Sequence, residues 1–155
     1  MGYAERVLQP GEAVAYRAHL HWVLMAPGMA LAIASLGLSI AALVQANRDL
    51  RLGALVVAGL VCVVGCAQIL RAWMRRLSTE IIVTDRRIIV KTGLIGRRSI
   101  EMNLDKVESV LVDQGIFGRV LDFGTLIIRG VGSGLEPVTN VAAPLEFHRH
   151  VNARA

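Results

Sequence analysis

The sequence predicts a membrane α-helical hairpin of two transmembrane helices, followed by a small all-β sandwich or barrel with a C-terminal helix. Three observations carry this. An uncharged run of 23 residues spans Trp22–Val44. A second uncharged run occupies residues 52–70, and a series of short β-patterned segments follows, marked near its start by Thr84-Asp85-Arg86-Arg87. About 20 apolar residues in a helix span the hydrocarbon core of a bilayer. The chain therefore divides into an N-terminal cytoplasmic segment at 1–21, a two-helix hairpin at 22–76 and a β-domain at 77–155.

Composition agrees. With 54% hydrophobic and 19% charged residues, and a mean hydropathy of +0.54, the 155-residue chain is more apolar than a soluble domain of its size. The net charge of +5 raises the question of nucleic acid, and the distribution of the charge answers it. Residues 1–76 hold +4 of it, and residues 77–155 only +1. The basic excess flanks the apolar runs, where arginines orient helices and meet anionic headgroups. A nucleic-acid footprint needs a clustered basic face on the soluble part, which this pattern lacks.

The same arginines set the orientation. Arg71, Arg75 and Arg76 follow the second run, and Arg86 and Arg87 lie close behind; the connecting loop at 45–51 holds Arg48, Arg51 and Asp49. Both termini are expected in the cytoplasm, with the short loop outside. Trp22 and Trp73 sit where interfacial aromatics are enriched. A cleavable signal peptide is the competing reading of the first run. That run is longer than a signal core of roughly 7–15 residues, and Glu5 and Glu12 lie in the segment before it.

Small residues recur in the first helix at Gly28, Ala32, Ser35 and Ser39, and in the second at Ala58, Cys62 and Cys66. They let helix backbones approach closely in lipid, within the hairpin or across a homo-oligomer. Cys62 and Cys66 share a helix face but lie in an apolar span without His, Asp or Glu, so structural burial is expected rather than metal or redox chemistry. His19 with His21, and His148 with His150, are spaced at i,i+2, and neither pair has the further ligands a metal needs.

Beyond Arg76 the pattern becomes one of strands. Glu80–Thr84 and Arg87–Thr92 are β-branched runs joined by Asp85-Arg86, a hairpin signal. Gly93-Leu94-Ile95-Gly96 is the next turn. Residues 98–104 alternate, with Ile100, Met102 and Leu104 on one face and Ser99, Glu101 and Asn103 on the other. Val107–Asp113 is a further strand, and the glycine-punctuated stretch at 114–121 suits a helical turn. Strands at 125–129 and 136–141 flank the glycine-rich 130–134, read as a flexible hairpin loop. Pro144 then opens a helix with Leu145, Phe147, His148 and Val151 as a partial apolar stripe.

These residues carry a family resemblance. Ile82-Val83-Thr84-Asp85-Arg86-Arg87-Ile88-Ile89, Thr92-Gly93-Leu94-Ile95 and Leu104-Asp105-Lys106-Val107-Glu108-Ser109-Val110 are its first three blocks. Gln114-Gly115-Ile116-Phe117-Gly118-Arg119-Val120-Leu121 and Gly124-Thr125 complete it. Together they resemble the membrane-anchored bacterial pleckstrin-homology-like (PH-like) family. Upstream, Pro10-Gly11-Glu12, Tyr16 and His21-Trp22 resemble the segment before the two helices in members of this layout. The chain departs from the family at Asp122-Phe123, where a glycine or small apolar residue is frequent.

The resemblance implies a seven-strand PH-type sandwich capped by a C-terminal helix, a fold that hosts lipid binding, peptide binding and assembly alike. It does not bring inositide recognition, which uses basic residues in an open loop between the first two strands. On the strands read here, that loop is only Asp85-Arg86. No nucleophile elbow, phosphate-binding glycine loop or zinc-protease motif is present, so no catalytic, cofactor-binding or metal-binding residue is assigned. The expected role is a non-enzymatic adaptor or accessory subunit at the cytoplasmic face of a bacterial inner membrane, with a membrane-protein partner or a second copy docking on it. The alternative is an anionic-lipid-sensing module with headgroup contacts at Arg71, Arg75, Arg76, Arg97 and Arg98.

Overall fold

The computed structural model describes residues 11–93, 96, 98–131, 133, 134 and 137–153. The chain forms two compact units, Trp22–Met74 and the combination of Met1–His21 with Arg75–Ala155.

The first unit is a helical hairpin. A 3-10 turn at Trp22–Met25 leads into helix α1 (Ala26–Val44), with proline in its first turn. Helix α2 (Arg48–Ser78) returns the chain and continues past the apolar run through Arg71, Arg75 and Arg76. The connection is shorter than the expected 45–51 loop. The Asn47 side-chain oxygen accepts the backbone N–H groups of Asp49 (3.0 Å) and Leu50 (3.3 Å), an N-cap that starts α2 at Arg48. Both helices are long and apolar enough to cross a membrane.

The buried residues of α1 are Gly28, Ser35 and Ala42, and those of α2 in this unit and at its end are Ala58, Gly65 and Ala72. Each set repeats every seventh residue, which keeps one small-residue seam along each helix. A β-carbon on Gly28 would lie 2.9 Å from the Gly65 carbonyl oxygen, so the backbones meet where only glycine fits. Cys62 and Cys66, expected to be buried, instead face outward. The seam is set by Ala58, Gly65 and Ala72, and the bulkier cysteines fall off it.

The second unit is built of two antiparallel sheets. In the first, the order is β1 (Val14–His19), β2 (Glu80–Thr84), β3 (Arg87–Thr92) and β4 (Arg98–Asn103). In the second, β6 (Phe123–Gly130) pairs with β5 (Val107–Asp113), with the two-residue β7 (Ser133–Gly134) and with β8 (Val138–Ala142). The boundaries of β2, β3 and β5 coincide with those the sequence predicts.

Strand β1 was not expected. The sequence sets residues 1–21 apart from the β-domain, whereas Val14–His19 pairs antiparallel with β2, His19 opposite Glu80 and Ala18 opposite Ile81. Val14 packs against the buried pair Ile82 and Ile89, and Ala18 is buried. The hairpin is thus an insertion between the first and second strands of the sheet. This also corrects the identity of the first interstrand loop: it is the whole hairpin, and Asp85-Arg86 joins the second strand to the third.

Met102 and Leu104 are buried and Ile100 is half-buried, as the alternation of β4 requires. Helix α3 (Ile116–Leu121) occupies the glycine-punctuated stretch, and α4 (Pro144–Asn152) begins at Pro144. Phe147 and Val151 of α4 are fully buried and Tyr16 of β1 meets the Phe147 ring edge-on at 6.4 Å. Leu145, expected in the apolar stripe, is exposed, because the inward face runs through Pro144, Phe147 and Val151.

Candidate functional site

Thr84-Asp85-Arg86-Arg87 is held by contacts that span the chain. The Thr84 hydroxyl donates to Glu12 Oε1 (2.7 Å) and accepts the Arg87 backbone N–H (3.0 Å), closing the turn. Asp85 Oδ1 accepts the Ala13 backbone N–H (3.1 Å). Arg87 donates from Nε to Glu12 Oε1 (2.9 Å), from Nη2 to Glu12 Oε2 (2.8 Å) and from Nη1 to Glu101 Oε2 (2.6 Å). These bonds to Glu12, followed by the nearby Glu101 charge, push the Arg87 guanidinium above its ordinary value despite burial. A depression of about 390 Å³ lies beside the turn, lined by Asp85, Arg86, Arg87, Asn103 and Asp105. Arg87 is engaged by two carboxylates, so the motif is a structural clasp between β1's leading residues and the β2–β3 turn.

The second unit has another opening, a cleft of about 400 Å³ between the two sheets. Leu20, Val90, Ile100 and Val138 give it an apolar lining; Ser78, Thr79 and Thr92 add hydroxyls, and Arg75 and Arg98 add charge. Leu20 positions the sheets here. It follows β1, bridges to Val141 of β8 and is 1% exposed, and the next residue, His21, donates its backbone N–H to the Asn140 carbonyl at 2.6 Å. Val90 and Ile100 come from adjoining strands in direct register. An apolar floor with two guanidinium groups suits a ligand carrying both an apolar stretch and a carboxylate or phosphate.

Of the five arginines expected to touch headgroups, Arg75 and Arg98 line this cleft. Arg76 is exposed and its charge, after burial, helps hold the His21 imidazole below its ordinary value, with Asp122 opposing. Arg71 is exposed on α2 in the hairpin unit, and Arg97 lies outside the described residues. The apolar lining of the cleft was not read from sequence. Leu20 sits in no strand pattern, and Val138, paired with Leu126 in the second sheet, comes to line the cleft with Val90 and Ile100 from a distant segment.

A second feature has no signature in the sequence pattern. Helix α3 exposes Ile116 (84%), Phe117 (79%) and Val120 (77%), while Gly118 packs inward. Asp122, at the departure from the family pattern, closes the helix in the left-handed conformation with φ 55°. Aspartate tolerates this region better than most residues other than glycine.

Among the described residues, two sheets of four and four strands, the first contiguous in pairing and the second packed with a C-terminal helix, form a PH-type sandwich, a class whose members are generally interaction modules. The family profile described as bacterial PH domain matches residues 22–155, and the chain belongs to that family. The match begins just past β1, although the sheet needs that strand. No curated protein matches the chain.

Proposed function

We propose that this chain is a membrane-anchored, non-enzymatic adaptor or accessory subunit at the cytoplasmic face of a bacterial inner membrane, and that its cleft takes an extended segment of a partner protein. The observation that carries this is that Arg75 and Arg98 line one cleft together with the apolar Leu20, Val90, Ile100 and Val138, beside β4. Strand β4 is the edge of its sheet, pairing only with β3 among the described residues. An added strand along β4 would gain backbone hydrogen bonds, and an acidic side chain or C-terminal carboxylate on it would meet the two arginines. Membrane anchoring rests on the length and apolar composition of α1 and α2.

A second reading, an anionic lipid headgroup in the same cleft, is favoured by one observation. Leu20 and Ser78 flank the two ends of the hairpin, so this opening lies where the chain leaves and rejoins the β-unit. Native mass spectrometry of the detergent-extracted full chain separates the two. A co-purifying protein in fixed stoichiometry, lost in Arg98→Glu and Arg75→Glu, supports the adaptor. Anionic lipid retained by the natural chain and lost in both variants, with no protein bound, supports the lipid reading. Retention of every bound species by both variants would remove the cleft as the site.

A further inference from the structure

We infer that α3 is a lipid-inserting tip, whose Ile116, Phe117 and Val120 enter the headgroup and acyl boundary of the bilayer that holds the hairpin. The inference rests on the reading of α1 and α2 as bilayer spans and is independent of what the cleft binds. Three large apolar side chains on one short helix are each more than three-quarters exposed. The surrounding structure fixes them in that position. Gln114 Nε2 donates to the carbonyls of Phe123 (3.1 Å) and Gly118 (3.3 Å), tying the middle of α3 and the start of β6 to one side chain. Gly118 packs so closely that a β-carbon there would sit 2.6 Å from the Phe123 carbonyl oxygen. Gly124 allows Gln114 its place, since a β-carbon would lie 2.7 Å from its Cγ. An apolar face presented outward on a braced helix is a surface built for a counterpart.

Position within the β-unit names that counterpart. Phe123, directly after α3 and its cap, stacks on the His21 ring at a centroid distance of 5.4 Å, and Asp122 lies near enough to act on the His21 charge. His21 is the last residue of this unit before the hairpin begins at Trp22. The residue that follows α3 and its cap thus stacks on the residue that immediately precedes the first apolar helix in the chain. Exposed Arg119 lies among the three apolar residues, with a stem that reaches along an interface and a charge suited to headgroup phosphate. A second copy of the chain is the weaker occupant. A stable protein interface buries roughly 800 Å² on each partner, more than three side chains of a six-residue helix supply. Insertion into lipid needs no such area when a tether already holds the domain at the surface.

The test uses the full chain with Cys62→Ala and Cys66→Ala, reconstituted in phosphatidylcholine–phosphatidylglycerol vesicles. Single cysteines at Phe117, Val120, Glu108 and Leu36 carry an environment-sensitive fluorophore, and lipids carry spin labels at shallow or deep positions. The expected result is a blue-shifted emission at 117 and 120, quenched by the shallow label, with the exposed position 108 on β5 unquenched. Val120→Asp should reduce quenching at 117. Pure phosphatidylcholine vesicles should weaken but not abolish the signal, since Arg119 loses its anionic partner while the apolar contacts remain. If position 36 in α1 is not quenched by the deep label, the spanning hairpin fails and the inference falls with it. If 36 is quenched while 117 and 120 behave like 108, α3 does not insert and the hairpin reading stands. Efficient disulfide formation between copies at 117 without lipid quenching would assign the face to a second copy instead.

Discussion

Glu12 and Arg87 stand 75 residues apart in the chain and meet through two hydrogen bonds, Nε to Oε1 at 2.9 Å and Nη2 to Oε2 at 2.8 Å. The carboxylate side chain is wholly buried and the guanidinium 13% exposed. Replacing Glu12 by alanine removes both of its bonds to Arg87 and moves the Thr84 hydroxyl onto its other acceptor, the Arg87 carbonyl at 2.9 Å. The expected loss is about 3 kcal/mol of stability, the scale of breaking a buried pair by removing one partner. Urea unfolding of the detergent-solubilised chain measures it. Glu12→Gln should lose less, and exposed Arg86→Ala should stay within about 0.5 kcal/mol.

His21 gives the β-unit a pH dependence. Burial first, then the Arg76 charge, holds its folded pKa below the ordinary 6.5, against a smaller opposing pull from Asp122. The unfolded chain therefore takes up the proton more readily than the folded one. The stabilising contribution is complete above about pH 6.5 and is lost as the pH falls from there toward the depressed folded value. Thermal denaturation from pH 7.5 to 5 should show a decline that His21→Phe flattens, since phenylalanine keeps the stack on Phe123 without a titrating group. An unchanged slope in that variant would assign the decline to other groups.

Gly118 is expected to be intolerant of even one added methyl group. Its nearest obstacle is a backbone carbonyl oxygen at 2.6 Å, which cannot swing aside as a side chain would. Gly118→Ala should cost about 1–3 kcal/mol, the usual scale of overpacking, and shift the amide resonances of residues 116–124. Gly96→Ala, with nothing within 4 Å of the added carbon, should leave stability within about 0.5 kcal/mol.

Orientation can be read by thiol labelling. In a chain lacking Cys62 and Cys66, Ala46→Cys in the connection between α1 and α2 should react with a membrane-impermeant reagent on intact cells, and Glu108→Cys on β5 should not. The expectation follows from Arg71, Arg75 and Arg76 outweighing Arg48 and Arg51. Ala46 is preferable to Asn47, whose side chain caps α2. The reverse labelling pattern would invert the assigned topology.

The sequence was most legible where structure is local. Uninterrupted β-branched runs bounded by turn residues mark β2 and β3 to the residue, and the bounds of β5 coincide with those the sequence predicts. Strand β1 was not legible because Val14–His19 mixes Arg17 and His19 with two alanines, a valine and a tyrosine in no clean alternation, and its partner lies beyond the hairpin. For the same reason the role of Glu12 could not be seen before Arg87 was placed beside it. In the cleft, Arg75 belongs to the basic cluster at Arg71–Arg76 and Arg98 follows Arg97, but nothing linear joins either to Leu20 or Val138. The exposed face of α3 failed for a different reason. Six residues with four large apolar side chains have too little polar contrast to say which face is wet.

The placement of the hairpin between β1 and β2 has a consequence for how the protein is made. Strand β1 leaves the ribosome before α1 and α2, and its neighbour in the sheet leaves after both. Until α2 has returned the chain, β1 has no strand to join and must wait as unstructured polypeptide. Once the Gly28–Gly65 seam has closed, the loop between His19 and Glu80 is already shortened to its ends, and most of the entropy of bringing two distant segments together has been lost beforehand. The hairpin thus acts during biogenesis as an oversized turn. A nascent chain whose helices fail to pair would present β2 as a bare edge, open to the strands of other chains.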